Sequence, residues 1–215
     1  MKEPVKARRP YRSAVREERA RANRLAILAA ARRRFLADCY ARTTITAVAS
    51  EAGVSEDLVY VLFTTRRGLF TAILSAAIRG EDADAPVLEQ TAPQAIRDEP
   101  DQHRQVRLFV ADHAQRIDRA RPLDDMMRSA AAIDPDIATH YRSAQANLFH
   151  HLEQFVTAVA ANSPLRDHQT TQEAAADVAA LCGPDTHRML VDELHFDPDA
   201  YSNWLNRTIA TVLLR

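Results

Sequence analysis

The chain has 215 residues, 47% of them hydrophobic and 27% charged, and a formal net charge of −1. This is the composition of a soluble globular protein of one or two domains, and no apolar run approaches the roughly 18 residues of a membrane span. Two cysteines, Cys39 and Cys182, do not make a disulfide framework, so the expected setting is a reducing cytoplasm.

The near-zero charge hides an asymmetry. Residues 1–70 hold 15 Lys and Arg against 7 Asp and Glu, a net of +8, whereas the remaining 145 residues hold 13 against 22, a net of −9. A basic head on an acidic body points to a polyanionic partner for the head. Only four glycines argue against a β-rich or loop-rich fold, and no period-two strand pattern is present. The expected fold class is therefore all-α.

Residues 1–15 carry Lys2, Lys6, Arg8, Arg9 and Arg12 with Pro4 and Pro10. This composition predicts a basic arm without a secretory signal, since it lacks an apolar stretch. A helix is predicted from Arg16 to Ala37, with Leu25, Leu28, Phe35 and Leu36 nearly tracing one face. It should end near Asp38-Cys39. Thr44 is a good N-cap for a second helix, whose Ile45, Val48, Ala49 and Ala52 face inward. Gly53 stands where the chain must turn and supplies positive φ. Val54 plugs that turn, and Ser55 caps a third helix with Leu58 and Val59 inward. Thr65 caps a fourth, striped by Leu69, Phe70, Ile73, Leu74, Ala77 and Ile78. Two short helices around a glycine turn, with a third helix beside them, are the plan of a helix-turn-helix.

The segment from Gly80 to Pro100 reads as a linker with one short helix near Pro93–Arg97. Helices resume at Asp101. One is predicted over Asp101–Ala120, and Pro122 is expected to open a separate short helix, Leu123–Ala132. A long helix follows from Asp134-Pro135 to about Asn162. Shorter ones are predicted over Thr171–Leu181 and Asp185–Leu194, with a break at Gly183-Pro184. The last begins at Asp197-Pro198 and carries Tyr201, Trp204, Leu205, Ile209, Val212 and Leu213.

From Arg24 to Phe70 the sequence resembles the TetR family of bacterial transcriptional repressors. The residues that carry the resemblance are Ile27–Ala30, Phe35, Tyr40, Thr43-Thr44, Val48-Ala49, the run AGVS at Ala52–Ser55, Tyr60, Phe63 and Leu69. The resemblance implies an N-terminal three-helix DNA-binding head at residues 16–66, preceded by the arm at 1–15. A helical-bundle effector and dimerisation body would occupy residues 67–215. It implies a homodimer that offers two recognition helices to a palindromic double-stranded DNA operator, and a small-molecule effector that releases it. Carried over by position, Thr44, Tyr60 and Arg66 would meet the phosphate backbone and Ser55–Leu62 would be the recognition helix. Thr46 and Ala47 would lie on the DNA side of the preceding helix. The sequence departs from the family in three places. Cys39 stands for the usual glycine, Leu62 for the usual histidine, and Glu56-Asp57 open the recognition helix with two acids.

Phosphate contacts supply affinity and base contacts supply sequence. Tyr60 and Arg66 offer a hydroxyl and a cation for the first. Glu56, Asp57 and Val61 are the candidates for the second, since carboxylates can accept from cytosine N4. No catalytic motif is present, so no enzyme is expected. No cofactor or metal is expected either; His150-His151 diverge on a helix, and His187 with His195 makes at best a weak pair. For an effector pocket the candidates are large residues on inward faces: Phe109, His113, Met126, Met127, Tyr141 and Phe149. Trp204 belongs to core or interface. The alternative reading is a ligand-binding helical module whose head has weakened or lost DNA binding.

Overall fold

A computed structural model of the chain describes residues 11–80, 85–166 and 169–215, with side chains from residue 16. Helices α1 to α10 run in the order α1 (Tyr11–Arg42), α2 (Ile45–Ala52), α3 (Glu56–Phe63), α4 (Arg66–Arg79) and α5 (Thr91–Asp98). They continue as α6 (Gln102–Ala131), α7 (Pro135–Asn162), α8 (Thr171–Cys182), α9 (Pro184–Arg188) and α10 (Pro198–Leu213). No strand occurs among the described residues, so the fold is all-α. Two compact units divide the chain, one ending at Ile73 and the other beginning at Leu74. Of the basic arm expected at residues 1–15, residues 1–10 lie outside the described residues, and from Tyr11 the backbone is already part of α1.

In the first unit α1, α2, α3 and the start of α4 close around a buried set that includes Ile27, Phe35, Tyr40, Ile45, Val48, Val59, Phe63, Leu69 and Phe70. Phe35, Tyr40 and Phe70 form an aromatic trio. Phe35 stacks on Tyr40 with centroids 5.8 Å apart, and Phe70 meets both rings edge to face at 5.0 and 5.4 Å. Such pairs add about 0.5–1.5 kcal/mol each beyond the area they bury.

The backbone is strained at the end of α1. Cys39 interrupts the helix at φ 59°, ψ 168°, a region that is essentially reserved for glycine. The sequence predicts a helix end near Asp38-Cys39; the structure breaks the helix at Cys39 and carries helical backbone on to Arg42, and the Cβ of Cys39 makes that break costly. Beyond it, the buried Thr43 hydroxyl lies 2.9 Å from Cys39 O and 3.3 Å from Arg34 O, which ties the short connection down.

The second unit is built on α6 and α7. Its core takes in Val106, Phe109, Val110, Ile117, Leu152, Phe155, Val156, Val159, Val178, Leu205 and Ile209. Phe109 and Phe155 stack across the two helices at 3.9 Å. Here the structure corrects one expectation: Pro122 does not start a new helix but sits inside a continuous α6 of 30 residues. One apolar face runs through it, with Ile117, Ala120, Leu123, Met127 and Ala130 all buried. Burial on both sides of the proline offsets the lost hydrogen bond that would otherwise break the helix. The last turn of α4 is fastened to α6 by two arginines. Arg116 donates to Ile78 O (2.8 Å) and to Gln90 Oε1 (2.8 Å) while pairing with Asp112 at 2.6 Å, and Arg119 Nε donates to Ala77 O (3.0 Å). Cations at otherwise unpaired C-terminal carbonyls also suit the helix dipole.

His113 is buried on α6, with Nε2 3.1 Å from Cys182 O at the end of α8.

Two stability experiments follow from this geometry. Cys39→Gly should stabilise the protein by about 1 kcal/mol in a denaturant titration, the released strain outweighing the extra freedom of glycine in the unfolded chain. Gly68→Ala should do the opposite, because a Cβ at Gly68 would run into the Phe63 carbonyl oxygen; no change in either variant would contradict the strained backbone described here.

Acid should also destabilise the fold. Burial pushes the His113 imidazole down from 6.5 to about 4, with Asp112 opposing and His187 and Arg116 adding to the effect. The unfolded chain therefore takes up the proton first. Stability is full above about pH 6.5 and is lost as pH falls toward 4, by about 2 kcal/mol at pH 5. Burial lowers His151 and His187 as well, which steepens the slope. His113→Gln should flatten the stability profile between pH 7 and 5, and an unchanged profile would rule out His113 as its source.

Candidate nucleic-acid interface

The helix-turn-helix is fixed by its caps. Thr44 Oγ1 accepts from Ala47 N–H at 3.1 Å and Ser55 Oγ accepts from Leu58 N–H at 3.3 Å. Each satisfies one of the N–H groups that a helix start leaves unpaired, worth about 1 kcal/mol. Between them Gly53 adopts φ 67°, ψ 34° and its N–H closes α2, while Val54 N–H donates to Ala49 O at 3.0 Å. A Cβ at Gly53 would meet nothing within 4 Å, so glycine is required there by the backbone angle and not by space.

The turn presents α3 with two distinct faces. Val59 and Phe63 are buried and Leu58 and Leu62 half-buried, holding the helix to the unit's core. The other face carries Glu56, Asp57, Tyr60 and Val61, all exposed, with Tyr60 at 49% and Val61 at 78%. Positions i, i+1, i+4 and i+5 form one stripe along a helix, so the four base-reading and phosphate candidates of α3 are brought together. Exposed Thr46 and half-buried Ala47 lie on α2. Both acids stand in the first turn of α3, where the helix dipole favours them.

Thr44 and Ser55 spend their side-chain oxygens on the caps. Arg66 is half-buried and tied into the protein: Nη1 lies 3.2 Å from Ala41 O and 3.3 Å from Thr43 O, and the guanidinium sits over the Tyr40 ring at 4.6 Å. It staples the connection between α1 and α2 to the start of α4. Sequence reasoning missed the carboxylate that fixes α2. Glu51 accepts from Arg33 Nε at 2.6 Å and from Arg34 Nε at 2.5 Å. The Arg33 hydrogen bond, followed by the one from Arg34, holds the Glu51 carboxyl below its ordinary range. Arg24 stacks on Phe63 at 4.9 Å. Neither pairing has a sequence signal, since each joins residues far apart in the chain.

The effector candidates fall in more than one place. Phe109 and His113 stack on each other at 5.6 Å, and Phe149 packs against the same core. Met127 is buried and Met126 half-buried farther along α6. Half-buried Tyr141 lies within electrostatic reach of Asp124, whose carboxyl burial raises to about 6. Among the described residues no three His, Cys, Asp or Glu side chains converge as metal ligands would.

Comparison with known proteins places this geometry. Residues 27–73 match the model of bacterial regulatory proteins, tetR family. No curated protein matches the chain by sequence. Among solved structures, the chain is similar to a TetR-family transcriptional regulator from Rhodococcus sp., at 18% identity and a TM-score of 0.66, covering 89% of this chain and 98% of that one. A transcriptional regulator from Saccharomonospora viridis, solved in complex with choline, aligns at 17% identity and a TM-score of 0.67 over 89% of this chain and 97% of its own. NalD of Pseudomonas aeruginosa, described as the secondary repressor of a multidrug efflux pump, aligns at 19% and 0.64 over 90% and 97%. The chain thus carries the helix-turn-helix head of the TetR family of bacterial regulatory proteins, and its described helices have the fold of TetR-family transcriptional regulators.

Proposed function

We propose that this protein is a sequence-specific DNA-binding repressor that acts in the cytoplasm as a homodimer and leaves a palindromic operator when its body takes up a small molecule. The observation that carries this reading is the exposed stripe Glu56, Asp57, Tyr60 and Val61 on a helix whose start and turn are fixed by Ser55 and Gly53. A helix held in that way can enter a major groove as a rigid reader. In this assignment Tyr60 donates its hydroxyl to phosphate and Thr44 and Thr46 lie along the backbone. Arg66 acts chiefly by holding the loop that positions them. Glu56 and Asp57 select bases. Two subunits would place their α3 helices about 34 Å apart, one turn of DNA. The choline held by the Saccharomonospora viridis regulator is a precedent for small organic ligands in this fold.

The two exposed acids also favour a second reading, a ligand-binding helical module whose head no longer holds DNA, because carboxylates repel phosphate. Selection of binding sites from random duplex DNA by the full-length protein separates the two. Enrichment of a palindrome, with affinity falling steeply as salt rises, is expected of the repressor. Ligand binding without any enriched sequence is expected of the module. Tyr60→Phe should weaken binding to all duplexes alike, whereas Glu56→Gln and Asp57→Asn should raise affinity and blur sequence preference. Arg66→Ala should lower thermal stability together with DNA affinity, and a loss of affinity at unchanged stability would return Arg66 to direct phosphate contact.

A further inference from the structure

Among the buried side-chain polar atoms of the body without a hydrogen-bond partner, Gln169 Oε1, Arg188 Nε and Asn206 Oδ1 belong to half-buried residues, and two belong to fully buried ones, His187 Nδ1 on α9 and the Tyr201 hydroxyl on α10. His187 and Tyr201 are 3% and 2% exposed, and their rings meet edge to face with centroids 4.7 Å apart. Buried polar atoms without partners are few in native proteins, and each needs an account. Two of them on touching rings mark one place in the fold.

The surroundings agree. His187 lies within electrostatic reach of His113, which is engaged with Cys182 O, and Tyr201 within reach of Cys182. Helices α6, α8, α9 and α10 therefore each contribute one of these four groups. Immediately after α9 the chain forms a π-helical turn, Met189–Glu193, a wide and rare geometry that is frequent at functional sites. Leu194 N–H then donates to Met189 O at 3.0 Å and Phe196 N–H to Leu190 O at 2.9 Å.

The chemistry of the place is uncharged. Burial lowers the imidazoles of His113 and His187 and raises the thiol of Cys182 and the phenol of Tyr201, so all four are neutral near pH 7. The charged groups that act on His187 are Arg121, Asp118, Asp192 and Asp125, and Arg121 is itself paired with Asp125 at 2.8 Å and Asp192 at 3.0 Å. A phenol donates to a carbonyl or hydroxyl oxygen, and a neutral imidazole nitrogen donates or accepts according to its tautomer.

We propose that His187 and Tyr201 form the polar end of a binding site for a small uncharged organic molecule bearing a carbonyl or hydroxyl group, which pairs with Nδ1 and the phenol. The site deepens the reading of the body as a ligand-binding part and rests on it.

Thermal denaturation of the full chain tests it, with cyclohexanone, cyclohexanol and benzamide as neutral probes and benzoate, benzylamine and choline as charged ones. At least one neutral probe should raise the midpoint by about 3 °C or more, and the charged set should not. Tyr201→Phe removes a single oxygen and keeps the packed ring, so it should fold and lose most of that shift; His187→Phe should do the same. A shift absent for every neutral probe, shared by the charged probes, or undiminished in Tyr201→Phe overturns the site. A parallel gel shift with the selected operator keeps the two readings apart. Probe binding that leaves DNA bound would sink release by ligand while the site stands, and DNA binding without any probe shift would sink the site alone.

Discussion

Helices of eight residues do not hold themselves in water, because nucleating a helix costs more than so few hydrogen bonds return. Both elements of the reading unit, α2 and α3, are eight residues long. Everything that makes them rigid must therefore come from outside their own ladders. Caps at Thr44 and Ser55 satisfy their starts, and Glu51 is gripped by Arg33 and Arg34 of α1. Val59 and Phe63 are buried against the head core. The aromatic trio and the Arg66 staple set the loop from which α2 begins. The head is in effect a long helix, α1, onto which two short ones have been fastened at several points.

This division explains what could be read from the sequence and what could not. Caps and turns are local, so Thr44, Gly53, Ser55 and Thr65 announce themselves by residue type, and Thr65 does cap α4 by accepting from Gly68 N–H at 2.9 Å. Asp134 and Asp197 cap α7 and α10 in the same local manner. Periodicity gave many inward positions for the same reason, but not the face of α1, where Leu25 and Leu36, expected inward, are exposed and Ile27, Ala30, Ala31 and Phe35 form the buried face. Pairings between distant segments leave no such trace. Nothing in the sequence says that Arg66 turns back to the carbonyls of Ala41 and Thr43, or that Arg116 and Arg119 reach the end of α4. Pro122 misled because a local rule, that proline ends helices, met a non-local fact, the burial of α6 on both sides of it. Cys39 is a different case. Its conformation was foreseeable as a conflict between an L side chain and a turn that favours glycine, and the structure keeps the turn and bears the strain.

The body shows the same economy with polar groups, and its exceptions are informative. Gln105, although fully buried, donates to Ile96 O at 2.9 Å, and His113 has Cys182 O. Against that background the nitrogen of His187 and the hydroxyl of Tyr201 are exceptions in fully buried residues, and theirs are the two rings that touch. Apolar positions of the same period, such as Leu205 and Ile209, would have filled the space at no polar cost. Inward-facing size alone, the criterion that selected Phe109, Met127 and Phe149, picks core residues first, because core and pocket linings share it. Unpaired polarity is a criterion independent of size, and it is visible only in the fold.

The charge distribution then bears on how the head would divide its labour on DNA. The sequence of α3, EDLVYVLF, has two acids and no Lys or Arg, so this helix contributes nothing to counterion release. On the repressor reading, affinity must come from cations outside it, chiefly the arginines of α1 and the arm, while α3 subtracts from affinity and adds selectivity. A reader built in this way pays for each wrong base twice. A carboxylate that finds no cytosine amino group to accept from loses its hydrogen bond and stays beside an acceptor or a phosphate that repels it. The acids at Glu56 and Asp57 are thereby compatible with tight binding at a matched site and with weak binding elsewhere, and it is the +8 of the first 70 residues that makes such a helix tolerable against a polyanion.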